Sequence, residues 1–274
     1  MAMRLKLLPV VKAYPVIDPV SQTEAVCVAG ISMEEPYSWV RLFPLDYRGL
    51  QRASRFKKYE VIELEARKST KDSRPESFSP VLDSIEVGEL ISTDGGTWRR
   101  RLPFFDAVED ESMCEIHHRQ KTERKTLGVF RPAEVMDFTV GPAEKGFAES
   151  QRALLNQPSL FGDRAGDDTR AALDPLPVKA KFRYRCSDPA CGGKHDQSLI
   201  DWELGALYRT LSEKGDDEKT IHAKIRAKFF EEYCGDSYDT RFITGSMLKH
   251  PGSFLILGLV HPKRPARPQE ASLF

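Results

Sequence analysis

The chain has 274 residues, 40% hydrophobic and 30% charged, with 41 basic and 41 acidic side chains. This composition excludes a disordered chain, and a formal net charge of zero excludes a protein that holds polyanions by bulk charge alone. No apolar run reaches bilayer-spanning length and the N-terminal apolar stretch is too short for a secretory signal. The five cysteines are too irregularly spaced for a disulfide framework, so a soluble cytoplasmic protein with reduced thiols or metal-ligating thiols is expected.

Short strands dominate the first half. Residues 4–14, 25–31 and 38–43 read as strands, and residues 59–66 alternate apolar and polar at period two, the clearest strand pattern in the chain. Such spacing predicts a small barrel or sandwich. A further strand is expected at 98–102, a helix at 107–121, and strands at 127–130 and 134–140, split by Arg131-Pro132. After residue 141 the pattern breaks, with a short helix at 148–155 and then a Gly-, Asp- and Pro-rich stretch to 177. A second unit begins with a strand at 179–185. It continues through a polar turn, helices at 198–211 and 217–233, and strands at 240–244 and 253–260. No internal repeat of domain size is evident.

The polar turn holds Cys186, Cys191 and His195. Two thiolates and an imidazole on one tight turn can converge on a single Zn²⁺, and a structural site needs a fourth ligand. Cys234, at the end of the second helix, is the expected fourth; His222, His250 and Asp201 are alternatives. The expected ion is a structural Zn²⁺, a staple for the second unit.

Three carboxylates are candidates for acid–base work. Asp201 opens a helix beside the Cys/His turn, where a helix-capping role is also natural. Asp72 and Glu76 lie in the polar loop 68–78, which would sit at the rim of a barrel. In the same region Lys71 and Arg74 suit phosphate, as do Arg41 and Lys125 elsewhere, and Trp39 suits stacking on an unpaired base.

The pieces V-C-V-A-G-I (26–31), W-V-R-L-F-P (39–44), F-K-K-Y-E-V-I-E (56–63) and K-T-L-G-V-F-R-P (125–132) resemble a bacterial family with two fused OB-type barrels, found at mobile-element and antiviral-defence loci. The resemblance spans about residues 5–140. It implies a barrel scaffold that binds oligonucleotides and supplies no catalytic residues. The peptide Gln157-Pro158-Ser159-Leu160-Phe161 also resembles the short motif that docks bacterial polymerases and repair proteins on the sliding clamp, and Ser272-Leu273-Phe274 repeats its end.

The expected fold class is therefore α+β. A β-rich, OB-like domain spans 1–145, a linker or excursion loop 146–178, a β-α-α-β-β unit with the zinc turn 179–262, and an extended tail 263–274. The expected function is action on nucleic acid, chiefly DNA, as a base-excising glycosylase or nuclease in antiviral defence or repair. The alternative is a non-catalytic nucleic-acid or nucleotide-binding module with a structural zinc.

Overall fold

The computed structural model describes residues 2–17, 24–143 and 175–265. The first unit contains β1 (Ala2–Lys12), β2 (Val16–Ile17), β3 (Glu24–Ser32), β4 (Trp39–Leu45), β5 (Glu60–Lys68), β6 (Ser77–Pro80) and β7 (Glu86–Leu90). Five of them close a barrel in the order β1-β3-β4-β6-β5 and back to β1, with β4 and β6 parallel and the other pairs antiparallel. Closure depends on β1 serving two neighbours. Ala2 through Leu7 pair with β5, and Leu7 through Lys12 pair with β3. The register shifts between Pro9 and Val11, where a proline lacking an N–H suits a bulge. Opposite the bulge stands Gly30, where a Cβ would lie 2.9 Å from the Leu8 carbonyl oxygen, so only glycine lets β3 come this close.

Two helices follow, α1 (Leu102–Asp106) and α2 (Met113–Glu123). Ser112 caps α2 by accepting from the Glu115 amide at 3.0 Å. Residues 98–102, expected as a strand, instead form a turn leading into α1. Trp98 has φ 58°, a left-handed conformation that no strand tolerates.

The second unit contains β8 (Leu127–Phe130), β9 (Glu134–Pro142), β10 (Val178–Arg185), β11 (His195–Leu199), α3 (Trp202–Glu213), α4 (Glu218–Arg226), β12 (Arg241–Ser246) and β13 (Phe254–Val260). Its sheet runs β8-β12-β13-β11-β10-β9, with β11 and β13 parallel. The two ends of this path, β8 and β9, are consecutive in the chain and separated only by residues 131–133. With β8 and β9 counted as one bent strand, both units share one circuit: first beside second, second beside third, third parallel to fifth, fifth beside fourth, fourth back to first. Because β8 and β9 pair with β12 and β10, the expected boundary near residue 145 moves upstream of β8, and the expected β-α-α-β-β unit gains three strands. The third of these, β11, occupies residues read as the start of a helix; α3 begins only at Trp202, after the Asp201 cap.

Three apolar clusters explain the strand patterns. Leu7, Val28, Leu42, Phe56, Ile62 and Leu64 fill the first barrel. Phe138, Phe182, Tyr184, Phe242 and Ile256 pack beneath α3 and α4. The third cluster lies between the units: Leu8, Val10, Trp98 and Phe105 meet Val129, Ile243, Leu257 and Val260. Phe242 and Ile243 therefore face different cores, which is why every residue of β12 is buried and no alternation appears there. By contrast β10 covers one core only and alternates along its whole length. Among the described residues no helix is long and apolar enough to cross a membrane.

Candidate metal centre and inter-unit cleft

The hairpin β10–β11 carries the Cys/His turn. Tyr184 stands opposite His195 in its register, and the two rings stack at 5.2 Å with 16° between planes. Cys191 Sγ lies 3.3 Å from His195 Nε2. Cys186 Sγ lies 3.7 Å from the Sγ of Cys114, in the first turn of α2. The four ligand atoms of Cys114, Cys186, Cys191 and His195 lie within 4.8 Å of one another. This group could hold a metal ion.

The expected fourth ligand, Cys234, is not part of it. Its Sγ donates to the Phe229 carbonyl at 3.4 Å, and burial pushes its thiol up to about 12. Cys114 takes that place from 72 residues upstream of Cys186. Its signal was a cysteine two residues after a capping serine, at a helix N-terminus that favours a thiolate. The donor set fits a tetrahedral ion: two Zn–S bonds of about 2.3 Å at a tetrahedral angle put the sulfurs about 3.75 Å apart. Burial lowers His195, which keeps its imidazole neutral and able to ligate. Burial raises the Cys114 thiol to about 12, so a cation is what would favour its thiolate.

The loop expected at a barrel rim alternates, with Lys71, Ser73 and Pro75 exposed and Asp72, Arg74 and Glu76 buried toward the second unit. Arg74 Nε donates to Asp72 Oδ1 at 2.8 Å and Nη2 to Oδ2 at 2.6 Å, while Ser77 Oγ donates to Oδ2 at 2.7 Å. Burial opposes the Asp72 charge, but these donors outweigh it and hold the carboxyl below its usual range. Arg74 Nη1 also donates to the Ser246 carbonyl at 2.8 Å, in β12. Glu76 Oε1 accepts from the Thr126 amide at 2.9 Å and from its hydroxyl, and Arg41 Nη2 donates to Thr126 Oγ1 at 3.0 Å. Asp72, Arg74, Glu76 and Arg41 thus tie the first barrel to the second unit rather than facing a substrate. Trp39 is buried in the inter-unit core. Of the residues expected to grip nucleic acid, Lys71 and Lys125 are exposed, and Lys125 pairs with Glu123.

Asp201 is a buried N-cap that accepts from the Glu203 amide at 3.1 Å. It also receives Lys58 Nζ at 3.2 Å, and Lys58 lies 3.0 Å from Glu203. Burial favours the neutral Lys58 amine, yet Asp201 and Glu203 outweigh it and raise its affinity for the proton. Asp201 is therefore a support beneath a cleft, and Glu203 is the carboxylate that faces into it.

That cleft, about 410 Å³, was missed in the sequence because six separate segments build it. Lys12 ends β1; Lys57, Lys58 and Tyr59 precede β5; Trp98 and Arg101 precede α1. Across from them stand Trp202 and Glu203 in the first turn of α3, and Tyr233, Leu259 and His261. An isolated bridge between Ala13 and Asp201 brings the first and fourth groups together. Residues 227–232 form a π-helical turn, and the next residue, Tyr233, stacks on His261 at 3.7 Å. Arg101 lies 3.6 Å from the centroid of the Tyr59 ring, and Trp98 is 5.0 Å from His261. Four basic side chains thus face one carboxylate amid five aromatic rings, His261 included.

The cleft also carries backbone strain. Among the described residues four non-glycine residues have positive φ, and two of them, Tyr59 (70°) and Trp98 (58°), line it. For bulky residues this costs on the order of 1–3 kcal/mol each and persists only where packing over-determines it. Burial drives His261 down to about 4, so it is neutral at neutral pH.

Among the described residues, the geometry defines an α+β chain with a closed N-terminal barrel, a six-stranded second sheet, a metal-capable Cys/His cluster and an aromatic, basic cleft. Family models divide it at the same place as the sheets: one described as a domain of unknown function (DUF8757) matches residues 108–274, and another (DUF8758) matches residues 3–107. The chain belongs to the DUF8757 family. No curated protein matches it.

Proposed function

We propose that this protein acts on nucleic acid, DNA in the first instance, by holding an unpaired nucleotide in the cleft between two OB-type barrels. In support of this reading, the strand order of each unit, with third and fifth strands parallel, matches the order expected of an OB barrel, a scaffold that commonly receives single strands. The observation that carries the reading is the cleft. Trp202, half-buried in the cleft wall, offers a ring for a base, Tyr59, Trp98 and Tyr233 back that wall, and Lys12, Lys57, Lys58 and Arg101 offer charge for phosphate. The resident ion at the Cys114, Cys186, Cys191 and His195 cluster is Zn²⁺ in this reading. Four protein ligands leave no position for water, so its role is to fasten α2 to the β10–β11 hairpin.

Repair or antiviral defence suits such a module, and sliding-clamp docking is retained as a partner proposal. Both clamp-like peptides, and the 148–155 helix, lie outside the described residues. The test is fluorescence anisotropy with a labelled single-stranded oligonucleotide across a salt series. Binding that weakens with salt, prefers single strand over duplex, and falls in Trp202→Ala supports the reading. Absence of binding at low salt overturns it.

A further inference from the structure

Lys12 differs from its neighbour Lys58. Lys58 is held by Asp201 and Glu203, whereas among the described residues no carboxylate lies within ion-pair distance of Lys12. The Lys12 Nζ donates to the Phe56 carbonyl at 3.4 Å and sits 4.2 Å above the Tyr47 ring and 5.6 Å from the Trp202 ring. The residue is 8% exposed and lines the cleft. An amine in this position, with an ionised carboxylate in the same cleft, is the arrangement that imine chemistry on an aldehyde requires.

We propose that Lys12 is the nucleophile of a strand-cleaving lyase acting on abasic sites in DNA, with Glu203 as the base; this rests on the nucleic-acid reading above. The ring-opened sugar of an abasic site presents an aldehyde at C1′. The Lys12 amine attacks that carbon, the C–N bond forms, and loss of water gives an imine. Glu203 then removes a C2′ proton. The electron pair left behind forms the C2′–C3′ double bond as the C3′–O bond breaks and the 3′-phosphate departs. Water hydrolyses the imine, releasing an unsaturated aldehyde and restoring the amine. No oxidant or reductant enters.

Two further properties agree. Burial and the adjacent Lys58 charge lower Lys12 to about 8 against the opposing pull of Glu203, Glu60 and Asp201, which leaves about a tenth of the amine neutral at pH 7. Burial would raise the Glu203 carboxyl, but Lys58 outweighs it and keeps Glu203 ionised. The aromatic walls offer surfaces for the bases that flank a missing one.

The full chain is incubated with a single-stranded oligonucleotide carrying one abasic site, with and without sodium borohydride, and run on a denaturing gel. Expected are a cleaved strand without borohydride and a covalent protein–DNA adduct with it, mapped by peptide mass spectrometry to Lys12. Both fall to background in Lys12→Arg, whose fold is checked by circular dichroism. Binding of the oligonucleotide by wild type is followed in parallel by anisotropy on a reduced abasic analogue that has no aldehyde. Binding without adduct, or an adduct on another lysine, overturns the lyase and leaves the nucleic-acid reading standing. Absence of binding overturns both.

Discussion

Arg74→Ala separates a structural tie from a catalytic loop. Arg74 makes three contacts of 3.0 Å or less to the Asp72 carboxylate and a fourth, at 2.8 Å, to the Ser246 carbonyl. Its removal strands a buried carboxylate with Ser77 as its remaining side-chain donor and leaves the Ser246 carbonyl without its cross-unit partner. Breaking a buried ion pair from one side costs about 3–5 kcal/mol. Removing both partners relieves the stranded charge, so Asp72→Ala/Arg74→Ala costs less than the sum of the single changes, with a coupling of about 1–3 kcal/mol. Urea unfolding of the wild type, both single variants and the double variant measures this. Additive losses, or a loss under about 1 kcal/mol for Arg74→Ala, would refute the assignment of this loop to the inter-unit joint.

Three other outcomes are expected. Purified protein carries one zinc per chain; Cys114→Ser lowers its affinity by more than about tenfold, whereas Cys234→Ser leaves metal content unchanged, as measured by elemental analysis. Stability falls on acidification because His261, ordinarily near 6.5, is lowered to about 4 in the fold. The unfolded chain then takes up a proton that the folded chain refuses. The contribution is complete above pH 6.5, is lost as pH falls toward 4, and reaches at most about 3 kcal/mol; His261→Gln flattens that part of the stability–pH curve. In α3, a Cβ at Gly205 would lie 2.4 Å from the Tyr14 ring, so Gly205→Ala destabilises by about 1–3 kcal/mol despite its better helix propensity, and a raised melting temperature would contradict this.

What was legible in the sequence is what local pattern encodes. β5 and β10 announce themselves because each presents one face to a core. The Cys186–His195 turn was visible because its ligands fall within ten residues of chain. Cys114 was not, since its place depends on how α2 packs against the β10–β11 hairpin. The loop around Asp72 and Glu76 reads as solvated because it is polar; burial of mutually satisfied charges leaves no hydropathy signal. The placement of β8 and β9 in the second sheet is likewise a matter of pairing with strands more than a hundred residues away in the case of β12. The cleft needed six segments at once.

The apolar seam between the units has a consequence for evolution and for handling. Leu8, Val10 and Phe105 from one unit and Val129, Ile243 and Val260 from the other are buried in one shared cluster. Either half made alone would present that seam to water, so the parts matched by the two family models, 3–107 and 108–274, are expected to fold together. The same seam fixes the gap in which Lys12 faces Trp202. On the proposed function, a gap set by packing rather than by a moving lid would act as a gauge, admitting a guest already bent or unstacked to fit.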